Sequence, residues 1–268
     1  MENFHLKLPI YFLQHLDVVW TFFLLVSRFT AMFLSLPGIG GGVRGLMIRM
    51  PAVFVLSAVS LKSSPTAPLP ENLVLLFVEL AAEFLLGFVV GIIPAFVIHG
   101  AQMGATLASN TMGLGMAQMI DPSSGQNMPS LAKLQGDLMM VLFLLLGGHY
   151  YVLEAISGLN GHIAPGMFTL EGASISLLID LTSAIFKAGV MISAPVMIAL
   201  LLAQFVMGII SKSVPTVNIF IISFPLTIGI GLILSGIALP EVARYAMGQF
   251  YGVENGISAV IANSAAYK

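Results

Sequence analysis

The chain has no cysteine, which excludes disulfides and thiolate chemistry and leaves the redox compartment unreadable. It has little charge. Asp, Glu, Lys and Arg make up 8% of residues, against roughly 25% in a soluble domain. A net charge of −2 argues against nucleic acid as a partner. The cations Lys7, Arg44, Arg49, Lys62, Lys133, Lys212 and Arg244 are spread thinly. No loop therefore shows the Lys/Arg excess that would set orientation in a membrane. A single Trp, Trp20, and few Tyr leave the aromatic belts equally faint. There is no P-loop, H-E-x-x-H or G-x-S-x-G. The 5 histidines lie apart, none at metal spacing. Gly40, Gly42 and Gly45 match G-x-G-x-x-G, but no βαβ unit surrounds them, so a loop between helices explains them better. Nothing supports an enzyme, a metal or a cofactor.

What the chain has is apolar length. It is 58% hydrophobic with a mean hydropathy of +1.01, the composition of an integral membrane protein. Apolar runs cover 10–36, 46–61, 73–109, 138–153, 188–211 and 216–239. A helical span needs about 20 residues, so 46–61 and 138–153 are marginal. No barrel-type alternation appears, and an all-α membrane protein is expected. The breaks are LPGIGGGVRG (36–45), KSSPTAPLPEN (62–72), MGLGMAQMIDPSSGQNMP (112–129), LNGHIAPG (159–166) and KSVP (212–215). Glu2 and Asp17 flank the first run and no A-x-A follows, so that run is not expected to be a cleaved signal.

Ionisable groups inside apolar runs need partners. Arg28 lies in the first run and Lys187 beside another. Glu79 and Glu83 sit one turn apart, and Gly87 and Gly91 continue the same i, i+4 stripe. The glycines permit close helix approach. The carboxylates need a proton or a cation, with Arg28, Arg44 and Arg49 as candidates. They could form a proton or ion relay; structural salt bridges between helices or subunits are the favoured reading. Asp137 and Glu154 mark the ends of a short segment, Asp180 and Lys187 lie two turns apart, and His149 in GGHYY reads as a packing residue.

The C-terminal half carries Pro195, Leu200, Leu201, Gly208, Lys212, Pro215, Asn218, Phe220, Phe224 and Pro225 in the pattern P…LL…G…K-x-x-P-x-x-N-x-F…F-P. Physically this is a hairpin of two apolar helices: Pro215 stops the first, Asn218 offers polar contacts at the bend and Pro225 kinks the second. The pattern resembles the FliR family, export-gate components of the flagellar and type III secretion apparatus. Arg28, LPGIGGG, EFLLGFVVG (83–91), IDPSSGQNMP (120–129) and FLLLGGH (143–149) agree in order over about 20–240. Where the family often has Arg and Pro-Gln near the hairpin turn, this chain has Lys212 and Pro215-Thr216. The departure weakens roles resting on those two side chains but not the resemblance, and Lys212, Pro215, Asn218 and Pro225 are read as the hairpin turn.

The resemblance implies bent helical hairpins forming one subunit of a helical export-gate assembly in the bacterial inner membrane at the flagellar basal body. One FliR-like copy would join FliP and FliQ homologues, with FlhB and FlhA homologues nearby. Unfolded flagellar subunits would pass through the centre. Residues 1–185 would be the FliP-like part, 186–240 the FliQ-like hairpin and 241–268 a tail. It also implies a pore plug over about 109–119: Ser109, Asn110, Met112, Gly113, Leu114, Gly115, Met116 and Met119. Methionine is deformable, glycine is free to bend, and the run is uncharged. By spacing alone, Met112, Met116 and Met119 read as a packed helix end; with the resemblance, the plug is favoured. The IDPSSG and GGH elements favour the flagellar branch. Two other classes compete: a secondary transporter with Glu79 or Glu83 as coupling site, which lacks the internal repeat it needs, and a membrane scaffold or insertase without a pore.

Overall fold

A computed structural model describes residues 15–36, 42–114, 129–157, 163–169, 172–213 and 219–262. Among these, eight helices and no strand are seen: α1 Leu16–Ser35, α2 Gly42–Leu61, α3 Leu73–Met112, α4 Ser130–Leu145, α5 Gly148–Ser157, α6 Gly172–Ser213, α7 Ile219–Tyr251 and α8 Val253–Ala262. Four helical stretches are long and apolar enough to cross a membrane, and five if α4 and α5 count as one broken span. The chain is an all-α membrane protein.

The helices outrun the apolar runs that mark them. α3 has 40 residues and α6 has 42, about 60 Å along the helix at 1.5 Å per residue, twice the roughly 30 Å of hydrocarbon. α6 begins well before residue 188 because Asp180 and Lys187 are exposed on it, and a helix tolerates charge on an open face. Pro94, Pro195 and Pro225 all lie inside helices. The run 138–153 is divided at Gly147, whose φ of 73° is open to glycine at little cost. α1 ends where Leu36 turns extended, at ψ 120°, as the residue before a proline must.

The helices are grouped into two compact units. One comprises residues 1–95, 147–179 and 251–268; the other comprises 96–146 and 180–250. α3, α6 and α7 contribute to both. In the first unit α1 packs on α2 and α5 on α8, and Trp20, Leu24 and Ala67 form a core cluster with Leu76 and Leu80 against it. The second unit is centred on Ala108, Met112, Val196 and Leu200, covered by Leu131, Ile228 and Leu234. Much apolar surface stays open. In the 221–262 stretch only 11% of the most apolar window is buried within the chain, against 44% for α1. Such faces require lipid or protein around them.

Candidate functional site

The first unit holds a dry ionic cluster. Glycines set its geometry: a Cβ at Gly87 would fall on the Arg28 carbonyl, and one at Gly91 on Ser35 Oγ. α1 and α3 therefore touch backbone to backbone along the stripe that begins at Glu79. At that closeness Arg28 Nε donates to Glu83 Oε2, with both side chains fully buried. Arg28 Nη1 donates to the carbonyls of Ile156 and Ile163, each at 3.1 Å. The other carboxylate oxygen, Glu83 Oε1, accepts from the Gly166 amide at 2.7 Å. Gly166 has a φ of 83°, a conformation that turns its N–H toward Glu83 where few other residues could follow. Arg28 Nη2 has no acceptor among the described residues.

Glu79, one turn back, has a separate partner. Its Oε2 accepts from Trp20 Nε1 at 3.1 Å. The two carboxylates are thus held by different donors, Glu79 by Trp20 and Glu83 by Arg28 and Gly166. Of the other candidate cations, Arg49 donates to the Phe33 and Leu36 carbonyls, and the Arg44 side chain lies outside the described residues. Lys187 is exposed and forms no ion pair among the described residues. Lys212 is exposed in the last turn of α6. Pro225 is exposed within α7, while Pro215 and Asn218 lie outside the described residues.

The second unit holds the end of α3. The stretch about 109–119 that the resemblance implies as a plug begins within this helix: α3 continues to Met112, and Gly113 and Leu114 form a turn. Gly115, Met116 and Met119 lie outside the described residues. Met112 is buried in the core of the second unit, and Ser109 is buried with its hydroxyl on the Ala105 carbonyl at 2.7 Å. The reason is local. Gly113 adopts φ 91°. Leu114 N then donates to Ser109 O at 3.0 Å and Gly113 N to Asn110 O at 3.1 Å. This pair of bonds is the Schellman cap, which ends a helix wherever a glycine allows it.

A helix leaves its last four carbonyls without helical partners. The Schellman bonds take Ser109 and Asn110. The remaining two are met by side chains of the hairpin. Gln204 Nε2 on α6 donates to Thr111 O at 2.9 Å, and Thr227 Oγ1 on α7 donates to Met112 O at 3.1 Å. Two glycines make room. A Cβ at Gly231 would collide with the Met112 thioether, and one at Gly113 with the Phe224 ring. A cavity of about 480 Å³ opens beside this helix end, lined among others by Asn110, Gln204, Met207, Ser211, Ser223 and Phe224. Its lining carries no charge.

Sequence reasoning missed Gln204 and Thr227. The available signal was their isolation: an amide within LLAQFVM and a hydroxyl within FPLTIGIG. A lone polar group on an apolar helix must find a partner. It also missed that small residues continue along α3, where Gly100 meets Ile185 and Ala188, and Gly104 meets Gly189 and Ile192 on α6.

Long apolar helices joined through glycine stripes, a buried ion pair and an uncharged, fully capped helix end define a membrane-embedded structural protein. The profile of the family described as "Bacterial export proteins, family 1" matches residues 19–253. The chain belongs to this family, the FliR family of type III export proteins, whose members are structural parts of an export apparatus and not enzymes. It is 27% identical over 179 residues to the flagellar biosynthetic protein FliR of Escherichia coli K12, covering 67% of this chain and 69% of that one. It is 28% identical over 200 residues to the surface presentation of antigens protein SpaR of Shigella flexneri, covering 73% and 76%. Similarity to the Yop proteins translocation protein T of Yersinia pestis, 24% identical over 249 residues, covers 90% and 94%.

Proposed function

We propose that the chain is a structural subunit of the flagellar type III export gate, forming and plugging the channel through which unfolded flagellar proteins leave the cytoplasm. One copy would assemble with FliP and FliQ homologues in the bacterial inner membrane at the basal body, beside FlhB and FlhA homologues. Residues 1–185 would serve as the FliP-like part and 186–240 as the FliQ-like hairpin. Family membership supports the export role, and the broadly exposed apolar faces of α6 and α7 suit a chain that other subunits cover.

The observation that carries the plug is the end of α3. Every carbonyl there is held, yet the next residues, Gly113 to Met119, form an uncharged run rich in Gly and Met. A rigid base with soft residues beyond it suits a stopper. Within the proposed plug of about 109–119, Ser109–Met112 are the last turn of α3 and would serve as the base of the softer residues that follow. The test is ion leak through the assembled complex after deletion of 115–119. A leak is expected; wild-type conductance in an intact complex would remove the plug.

A virulence apparatus is the second reading, because the likeness to SpaR is as strong as that to FliR. Expression in a strain lacking its own flagellar FliR separates the two. Restored swimming is the flagellar outcome, and restored effector secretion in a SpaR-deficient strain is the other. Against the transporter reading, Glu83 is engaged by Arg28 and Gly166, which leaves Glu79 as the other coupling site that reading names.

A further inference from the structure

Along α3 the character of the outward positions changes. The first turns expose Leu73, Val74, Phe77 and Val78, a surface suited to lipid or an apolar neighbour. From residue 99 the outward positions are His99, Gln102, Thr106 and Asn110. Steps of three, four and four put them on one side of the helix. The other side, Ile98, Ala101, Ala105, Ala108 and Met112, is buried. His99 and Asn110 are exposed, and Gln102 and Thr106 are half-buried. The stripe runs about 16 Å at 1.5 Å per residue and ends at Asn110, beside the cavity at the tip of α3. α4 borders it. Gln102 lies over Gly136, where a Cβ would fall on its amide, and the exposed Lys133 and Asp137 flank that glycine.

The stripe offers hydrogen bonds without fixed charge. His99 Nδ1 meets Gln102 Oε1 at 2.8 Å. An amide oxygen only accepts, so Nδ1 carries the proton and Nε2 is left as an acceptor. The Thr106 hydroxyl donates to Gln102 O at 2.8 Å and can still accept, and the Asn110 amide can do both. Such groups are costly against hydrocarbon, and in membrane segments polar side chains face a protein interior or a water-filled cavity. Lys133 and Asp137 add one charge of each sign, so the border has no net pull.

We propose that this stripe is a stretch of the channel wall, facing water and the extended main chain of an unfolded substrate in transit. This deepens the channel reading above and rests on it. An unfolded chain shows N–H and C=O groups at nearly every residue, whatever its sequence. A wall of amide, hydroxyl and imidazole exchanges hydrogen bonds with those groups or with water at little net free energy. An apolar wall would hold hydrophobic segments back, and a wall of one charge would select by sign. These side chains thus suit passage of many sequences and retention of none.

A chain without cysteine allows a direct test. His99→Cys, Thr106→Cys and Asn110→Cys are each assembled with cysteine-free partner subunits and treated with a membrane-impermeant maleimide. Ile198→Cys and Ile233→Cys, on the exposed apolar faces of α6 and α7, are the comparison. The wall positions should react at least about 10-fold faster, because apolar surroundings raise a thiol's pKa and so deplete the reactive thiolate. An unfolded export substrate fused to a stably folded domain, and so arrested in transit, should slow the wall positions by a similar factor and leave the comparison positions unchanged. Rapid labelling that the arrested substrate does not slow means that the stripe faces bulk water. No labelling in an assembled complex means that a partner subunit covers it. Either result overturns the wall and leaves the export reading standing. That reading fails separately, and takes the wall with it, if the unmodified chain restores export in neither a FliR-deficient nor a SpaR-deficient strain. Each position is read alone, so a variant that does not assemble leaves the other two to decide.

Discussion

Arg28 on α1 and Glu83 on α3 meet as an ion pair with no solvent exposure on either side chain. Taking one partner from a buried pair costs about 3–5 kcal/mol, because the other charge is left unpaired in a poor solvent for it. Glu83→Gln leaves one oxygen where two are used: kept on the Gly166 N–H, it turns an amide donor toward the guanidinium, and kept on Arg28, it turns that donor toward Gly166. Its expected outcome is loss of folded chain, read as reduced co-purification with partner subunits. Arg28→Met together with Glu83→Leu should recover much of that loss, since an apolar pair leaves no charge stranded. A double variant as defective as the single ones would sink this account.

Glu79 is the contrasting case. It is only half-buried and accepts one hydrogen bond, from Trp20. Glu79→Gln retains a carbonyl acceptor for that indole, so a change under about 1 kcal/mol is expected. In the proposed export gate, neither Glu79→Gln nor Glu83→Gln should slow export in gates that do assemble. Export rate per assembled gate is the measurement, and a selective energisation defect in Glu79→Gln would show a relay where two separate structural bonds are described.

Gly87→Ala places a methyl group on the Arg28 carbonyl, a backbone atom that cannot step aside. Forcing atoms into a packed contact costs about 1–3 kcal/mol, and the displacement would also strain the Arg28–Glu83 pair. Gly236→Ala meets nothing within 4 Å and should instead gain about 0.5–1 kcal/mol from helix propensity. The thermal aggregation midpoint of the detergent-solubilised chain should fall for the first and hold or rise for the second.

Gly113→Ala combines two penalties. Its φ of 91° disfavours an L side chain by about 1–2 kcal/mol, and the new Cβ would lie 2.7 and 2.9 Å from Phe224 ring atoms. Adding Phe224→Ala should relieve the second penalty and not the first. Partial recovery is thus expected in the same thermal assay, and complete recovery would mean that backbone strain plays no part.

The range of each interaction decides how far it is legible in the sequence. The stripe of Glu79, Glu83, Gly87 and Gly91 can be read from spacing alone, because helical periodicity is local. That Arg28 rather than Arg44 or Arg49 pairs with Glu83 cannot, since the Ile156 carbonyl at the end of α5, the Ile163 carbonyl and the Gly166 amide all come from far along the chain. The end of α3 is legible only in part. The break at 112–129 marks where the helix stops, at the glycine at 113, but not what holds it. The last carbonyls are satisfied by residues 93 and 115 positions away, beyond any window of sequence. α6 reads too short because exposed Asp180 and Lys187 interrupt the apolar run without interrupting the helix.

The segment KSSPTAPLPEN gives the last prediction. Prolines at 65, 68 and 70 have no N–H to offer, so between them the backbone donors are Thr66, Ala67 and Leu69; ahead of them Ser64 Oγ donates to Ser157 O at 3.0 Å. Ala67 N donates to Thr21 Oγ1 at 2.9 Å, and Leu69 N to Asp17 Oδ1 at 2.9 Å. The Thr21 hydroxyl in turn donates to Asp17 O at 2.6 Å, so both its donor and an acceptor position are in use. The Thr21 contact is buried and the Asp17 contact exposed. Thr21→Val leaves a buried N–H unpaired at about 1–3 kcal/mol, whereas Asp17→Ala lets water replace the carboxylate at the Leu69 amide and costs less. Limited proteolysis should therefore cut the strap near Lys62 faster in Thr21→Val than in Asp17→Ala, with Thr21→Ser resembling wild type. The reverse order would place the strap's anchorage at its exposed bond.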